Sequence, residues 1–272
     1  LASAGAADLA EVPSLGSGAL RKLAEAAAAE GADPAVWAAI AVRCVDRADH
    51  LRYWDAVMVL QAFTAAGVAN EPLFMRIAEA LSSKTSRLAP KHVLDLFAVY
   101  EANGLRPRAL YVELFHALIR LSRSMYAEEI SLCLQALARY EIGNRTVVGH
   151  FARTVQNQLQ NFRLRYLCGV AGALGAMGSC PPTLMRELDE HAVFEVQTVP
   201  AQELLENLQA FPLLEFSWKP YEERCLQEFV ARSAAFHSAD DVDQLADPFE
   251  AMRFLQARGL LDDQFLQAMC QW

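Results

Sequence analysis

The chain has 272 residues, of which 54% are hydrophobic and 21% charged, and its formal net charge at pH 7 is -9. This apolar content is ample for a buried core and excludes an intrinsically disordered chain. A negative net charge also argues against a protein that binds nucleic acid over its whole surface.

The six cysteines are scattered and include no C-x-x-C pair. This spacing provides neither a disulfide framework nor a zinc-ligand pattern. We therefore expect reduced, mostly buried thiols, no metal site and no other cofactor. The cysteines are Cys44, Cys133, Cys168, Cys180, Cys225 and Cys270.

Residues 1–18 are rich in Ala, Ser and Gly and are predicted to form a loose lead-in. Residues 19–32 have an apolar side formed by Leu20, Leu23 and Ala27, and Gly31 is the predicted helix stop. This stretch is expected to be the second helix of a preceding hairpin. A single α-helical repeat domain is expected to extend over residues 19–272.

From residue 34 onward the sequence divides into five consecutive blocks of 37 residues that align without a gap. Self-similarity at such a period is typical of an array of stacked structural repeats. The blocks are residues 34–70, 71–107, 108–144, 145–181 and 182–218.

Each block carries two sets of apolar positions with helical spacing. Positions 4, 7 and 11 form one face of a first helix, and positions 23 and 30 lie on one face of a second. A single amphipathic hairpin does not bury both faces, so the blocks are predicted to stack. The predicted fold class is all-α, an α-solenoid of about six to seven helical hairpins.

Glycine marks the predicted end of several second helices. Gly67, Gly104 and Gly178 share position 34 of their blocks, and glycine takes the left-handed conformation there without a steric penalty. The third and fifth blocks have Glu141 and Glu215 at this position, so their junctions are expected to differ.

The last part of the chain departs from the period. A divergent sixth hairpin is predicted at residues 219–261, with about seven inserted residues that are expected to lie within 237–248. Residues 262–272 are predicted to form a partial terminal cap that includes Phe265, Met269 and Trp272.

Charge is distributed unevenly along the chain. Residues 106–181 have 9 basic and 4 acidic side chains, a net of +5, whereas residues 182–272 have 6 and 17, a net of -11. A basic stripe neutralises phosphates, which supply most of the non-specific affinity for RNA. The alternative is that these arginines lie on solvated helix faces.

The candidate RNA-binding residues are arginines of the third and fourth blocks, and each is predicted to contact phosphate without reading sequence. They are Arg145, Arg153, Arg163 and Arg165, with Arg120 and Arg123 beside them. Five amide side chains between the helices of the fourth block are of the kind that contacts RNA backbone and bases. These are Gln156, Asn157, Gln158, Gln160 and Asn161.

No catalytic motif is found in the sequence. His191 and Glu195 have helical i, i+4 spacing, but no second histidine completes a zinc pattern. Residues 169–178 contain four glycines within a predicted helix, which favours close helix packing over phosphate binding. Four aspartates in residues 240–247 lack the glycine turn of a calcium loop. The chain is predicted not to be an enzyme and to have no membrane span.

Two second-helix segments carry a family resemblance. Leu94-Asp-Leu-Phe-Ala-Val-Tyr-Glu-Ala-Asn-Gly104 and Leu132-Cys-Leu-Gln-Ala-Leu-Ala-Arg-Tyr140 combine small and aromatic residues. They resemble heptatricopeptide-type repeats of organellar RNA-associated proteins and are similar to the repeats of FAST-kinase-like mitochondrial proteins. Members of that family often end in a RAP domain, which is not recognised in this sequence.

The resemblance implies a non-enzymatic mitochondrial scaffold for organellar RNA, as a mitochondrial ribosome component or an RNA-processing factor. The alternative is a protein–protein scaffold subunit of a respiratory or ATP synthase complex. The expected partners are organellar RNA or proteins of a large complex, and no small-molecule substrate is expected.

Overall fold

A computed structural model describes residues 12–142, 144–178, 180–236 and 238–272. Within these ranges the regular secondary structure is helical and contains no strand, which confirms the all-α fold class. The chain forms two compact units, Leu1–Ser124 and Met125–Trp272, where the sequence predicts a single repeat domain. Each unit is built of stacked helical hairpins.

In the first unit, two rows of helices pack on each other. One row contains α1, α3 and α5, the other α2, α4 and α6, and neighbours within a row are in contact. The helices are α1 (Ser17–Glu30), α2 (Pro34–Asp46), α3 (Tyr53–Ala65), α4 (Glu71–Ser82), α5 (Pro90–Ala102) and α6 (Arg108–Ser122).

The second unit repeats this arrangement, with α7, α9 and α11 in one row and α8, α10 and α12 in the other. The short α13 lies in the predicted insertion, and α15 packs against α12 and α13 with Phe265 fully buried. The helices are α7 (Ala127–Arg139), α8 (Arg145–Asn157), α9 (Leu164–Ala176), α10 (Pro182–Thr198), α11 (Ala201–Ala210), α12 (Lys219–Ala234), α13 (Ala239–Val242), α14 (Pro248–Ala257) and α15 (Asp263–Gln271).

The helix starts follow the sequence blocks. The first helices of the blocks begin at residues 34, 71, 108, 145 and 182, and the second at residues 53, 90, 127, 164 and 201. The residues at positions 4, 7, 11, 23 and 30 of the blocks are all buried except Met185, which is half-buried. The same few apolar positions are therefore buried in every block. Along the chain, the second helix of one block packs on the first helix of the next, as α3 does on α4 and α9 on α10.

The amino-terminal region differs in detail from its prediction. Residues 1–11 of the predicted lead-in lie outside the described residues, and α1 begins at Ser17 instead of residue 19. Its buried face includes Ala24 in place of the half-buried Leu23. Gly31 ends the helix at a φ of 69°, as predicted.

Left-handed residues close many of the helices. Gly31, Gly67, Gly104, Gly178 and Gly259 have φ values between 59° and 69°. Glu141 replaces glycine at the corresponding place in the third block and adopts the same conformation at a φ of 51°. The turn geometry is thus kept without glycine, at the cost of steric strain on a residue with a Cβ.

The glycines of α9 serve two different contacts. A Cβ on Gly169 would lie 2.6 Å from Ser131 Oγ of α7, which fits the predicted close helix packing. On Gly172 it would lie 2.6 Å from the carbonyl carbon of Phe216, and on Gly175 2.9 Å from the Trp218 ring. The expectation of helix packing is therefore wrong for these two glycines. Because these glycines have no Cβ, residues 214–218 can pass close to α9. We call these residues the crossing segment; they lead from the end of α11 into α12.

Candidate nucleic-acid interface

Three of the predicted arginines lie at helix amino termini in the second unit. Arg145 is the first residue of α8, Arg163 is the N-cap residue of α9, and Arg165 is the second residue of α9. A cation at this end opposes the helix dipole, whose amino-terminal pole is already positive. These arginines therefore do not serve helix stability, and they add to a positive potential that favours anions.

Arg163 and Arg165 line one groove, which we call the arginine groove. It has a volume of about 390 Å³ and lies where the start of α9 meets α11. Arg163 Nη1 donates a hydrogen bond of 2.9 Å to Glu203 Oε1, while 69% of the Arg163 side chain stays exposed. The other residues that line this groove are Asn161, Tyr166, Glu206 and Asn207.

Tyr166 holds Arg165 in place. The guanidinium carbon of Arg165 lies 4.5 Å from the centre of the Tyr166 ring, and Nη2 donates a hydrogen bond to the Tyr166 hydroxyl. This hydrogen bond raises the pKa of Arg165 above its usual value. The phenol hydroxyl in turn donates to Glu128 Oε2 at 3.3 Å.

The amides of the fourth block line a second groove, which we call the amide groove. It has a volume of about 520 Å³ and lies between the end of α8 and α10. Gln156 Nε2 donates to Glu187 Oε1 at 2.9 Å. Among the described residues, the other four amide side chains have no hydrogen-bond partner. They are Asn157, Gln158, Gln160 and Asn161.

An exposed aromatic ring borders the amide groove. Phe194 of α10 is 59% exposed, and its ring stacks on the imidazole of His191 with centroids 6.4 Å apart and planes 18° apart. His191 Nε2 lies 3.3 Å from the Phe162 carbonyl oxygen, within hydrogen-bond distance. Phe194 therefore presents an exposed aromatic surface at the edge of the amide groove.

The remaining predicted arginines lie apart from these grooves. Arg153 is exposed on α8, where Nε donates to the Gly149 carbonyl at 3.2 Å. Arg120 and Arg123 belong to the first unit. Arg120 Nη2 donates to the Thr85 carbonyl at 3.1 Å, and Arg123 is the exposed C-cap residue of α6. The arginine groove therefore contains Arg163 and Arg165 of the six predicted arginines.

Tyr166 and Phe194 were missed by the sequence reasoning. Both belong to amphipathic helices, where an aromatic residue ordinarily points into the core. The available signal was positional, since Phe194 occupies none of the apolar positions that recur in the blocks.

Within the described residues, no group of three or more His, Cys, Asp or Glu side chains is placed to hold a metal ion. His191 Nε2 and Glu195 Oε1 lie 4.0 Å apart, and Asp240, Asp243 and Asp247 join no such group. None of the described helices is long and apolar enough to cross a membrane.

A family model described as RNA-editing substrate-binding complex 6 protein matches residues 7–250. No curated protein matches the chain significantly. The match agrees with an association with RNA, whereas the heptatricopeptide and FAST-kinase-like assignment is not confirmed. The expected placements in a ribosome or in a respiratory or ATP synthase complex find no support.

Proposed function

The chain belongs to the RNA-editing substrate-binding complex 6 protein family, and from this we propose that it is a non-enzymatic RNA-binding scaffold of an RNA-editing complex. Its partners are RNA and other proteins of that complex. It works in the mitochondrion, the compartment of the organellar RNA-associated proteins that its repeats resemble.

The observation that carries the proposal is the chemistry of residues 145–181. This block has four arginines and no Asp or Glu, and all four arginines are exposed. Guanidinium groups bind phosphate oxygens through paired hydrogen bonds, which suits a nucleic-acid backbone. At Arg163, whose side chain is 69% exposed, a phosphate would compete with the half-buried carboxylate of Glu203.

We assign phosphate contacts to Arg145, Arg153, Arg163 and Arg165, and further contacts on the first unit to Arg120 and Arg123. Each contact positions RNA without reading its sequence. Binding at these residues is therefore expected to depend strongly on salt.

The test is the salt dependence of RNA binding by a variant with Arg145, Arg153, Arg163 and Arg165 all replaced by Gln. For a single strand, each lost phosphate contact lowers the slope of log K against log salt by about 0.7. We expect weaker binding and a shallower slope. An unchanged slope would remove these four residues from the interface.

A matched pair of double variants controls for net charge. Arg163→Gln with Arg165→Gln and Arg87→Gln with Arg253→Gln remove the same charge from exposed positions. Only the first pair lines the arginine groove. Equal loss of RNA affinity in both would show that net charge, and not this groove, is what RNA senses.

A protein-binding role within the same complex is favoured by the acidic end of the chain. Residues 182–272 have a net charge of -11, which repels phosphate and suits a basic protein partner. Affinity capture before and after nuclease treatment separates the two roles, because partners held through RNA are lost when the RNA is removed.

A further inference from the structure

We infer that the amide groove, together with Phe194, binds an unpaired nucleobase of single-stranded RNA. This inference rests on the proposed RNA-binding function and deepens it, because the arginines alone contact phosphate and do not distinguish single-stranded from paired RNA.

The groove has the wrong charge for phosphate and the right groups for a base. Its lining includes Glu187 and Glu190 but no Lys or Arg, so a phosphate would be repelled. The edge of a nucleobase is neutral and presents N–H donors beside carbonyl and ring-nitrogen acceptors. Side-chain amides offer both donors and acceptors, and a carboxylate accepts from base N–H groups.

Four amide side chains of the groove are available to form hydrogen bonds with a ligand. Asn157, Gln158, Gln160 and Asn161 spend none of their side-chain hydrogen bonds on other described residues. The volume of about 520 Å³ falls in the range of small-ligand pockets.

Phe194 supplies the stacking surface. A phenylalanine ring that is 59% exposed gains little from hydrophobic burial in the folded chain. Its ring lies nearly parallel to the His191 imidazole, with centroids 6.4 Å apart, and most of its surface remains available for a base to stack on. Aromatic stacking platforms are a general means of holding single-stranded nucleic acid.

The position of the groove fits the path of a strand. Asn161 lines both the amide groove and the arginine groove, so the two adjoin. Phosphates of a bound strand would lie along Arg163 and Arg165 while one base turns into the amide groove. The guanidinium groups of the arginine groove suit the charged backbone of RNA, and the uncharged amides of the amide groove suit its bases.

The test compares Phe194→Ala, Phe194→Leu and Phe194→Tyr in the full chain. The probes are a fluorescein-labelled single-stranded RNA of mixed sequence, about 12 nucleotides long, and the same sequence as a duplex. We expect Ala and Leu to weaken single-strand binding about tenfold and Tyr to retain it, because only Tyr keeps a flat aromatic face. Duplex binding and the salt slope are expected to stay unchanged, because no phosphate contact is lost.

Three results would overturn the inference. Normal single-strand binding by Phe194→Ala, with weakened binding by the arginine variant, would reject the base site and leave the proposed function standing. Unchanged single-strand binding by Phe194→Leu would show that the size of the side chain matters and aromatic stacking does not. Absence of RNA binding by the unaltered chain would reject the proposed function, and the base site with it.

Discussion

Gln135 and Phe216, which lie 81 residues apart in sequence, are joined by two hydrogen bonds. Gln135 Nε2 donates to the Phe216 carbonyl at 2.7 Å, and the Phe216 N–H donates to Gln135 Oε1 at 3.1 Å. The same Nε2 also donates to the Gly169 carbonyl at 2.8 Å. The amide of one α7 side chain thus ties the crossing segment to both α7 and α9.

Replacing Gly172 with Ala should destabilise the second unit, because the new methyl group would overlap the backbone of Phe216. Overpacking of this kind costs about 1–3 kcal/mol, measured as a lower urea midpoint. Gly149→Ala is the matched control, since a Cβ there meets nothing within 4 Å. Because alanine has a higher helix propensity than glycine, the control should be neutral or stabilising. Equal midpoints for the two variants would contradict the close contact.

Replacing Glu141 with Gly should stabilise the protein. The φ of 51° is costly for a residue with a Cβ and free of strain for glycine. We expect a gain of about 0.5–1 kcal/mol in the free energy of unfolding, after allowing for the greater entropy of glycine in the unfolded chain. Glu141→Ala removes the same carboxylate but keeps the strain. A gain in both variants would assign the effect to charge.

Replacing Asp55 with Ala should destabilise the first unit. This carboxylate is completely buried and accepts hydrogen bonds from Ser17 Oγ at 2.6 Å, Arg21 Nε at 3.1 Å and Arg52 Nε at 2.7 Å. Its loss leaves the partly buried Arg21 without this partner between α1 and α3, at a cost of about 3 kcal/mol. Asp46→Ala, at an exposed position, should change stability by no more than about 0.5 kcal/mol. A comparable loss in both variants would refute the role of Asp55.

Alkylation of the native protein at about pH 8 should modify Cys270 first. Cys270 is exposed, whereas Cys44, Cys133, Cys168 and Cys225 are buried. Burial raises the pKa of each of these four thiols to about 12, so almost none is present as reactive thiolate. Mass spectrometry of iodoacetamide-treated protein should show one rapid adduct, which Cys270→Ser removes. Rapid labelling of the four buried thiols would contradict the described core.

The raised pKa values of these four thiols and of the half-buried Cys180 predict a loss of stability at alkaline pH. Their ordinary pKa is 9.0, and burial raises it in the folded protein, to about 11 for Cys180 and about 12 for Cys44. Between these values the unfolded chain releases protons that the folded chain retains, so the free energy of unfolding falls as pH rises. Below about pH 9 both states keep these protons, so the thiols do not lower the free energy of unfolding there. A urea midpoint that is constant from about pH 8 to about pH 11 would contradict this linkage.

The sequence was a good guide to the helices and a poor one to the grooves. The block starts at Pro34 and Glu71 coincide with helix starts, because apolar spacing and amino-terminal Pro or Asn act over one or two helical turns. The cluster of arginines was predicted by counting charged residues along the chain. The exposure of Phe194 was not predicted, because it depends on whether a neighbouring helix covers the ring.

The sequence by itself determined the all-α fold class, the apolar positions that are buried in each block and the basic character of residues 106–181. All of these are local properties, carried by side-chain periodicity and composition. The tertiary structure alone decided that the crossing segment fills the space beside Gly172 and Gly175, and that Asn161 borders two grooves, of which one contains arginines and the other does not. Those relationships join residues far apart in sequence, and their geometry depends on the packing of whole helices, which no short pattern encodes.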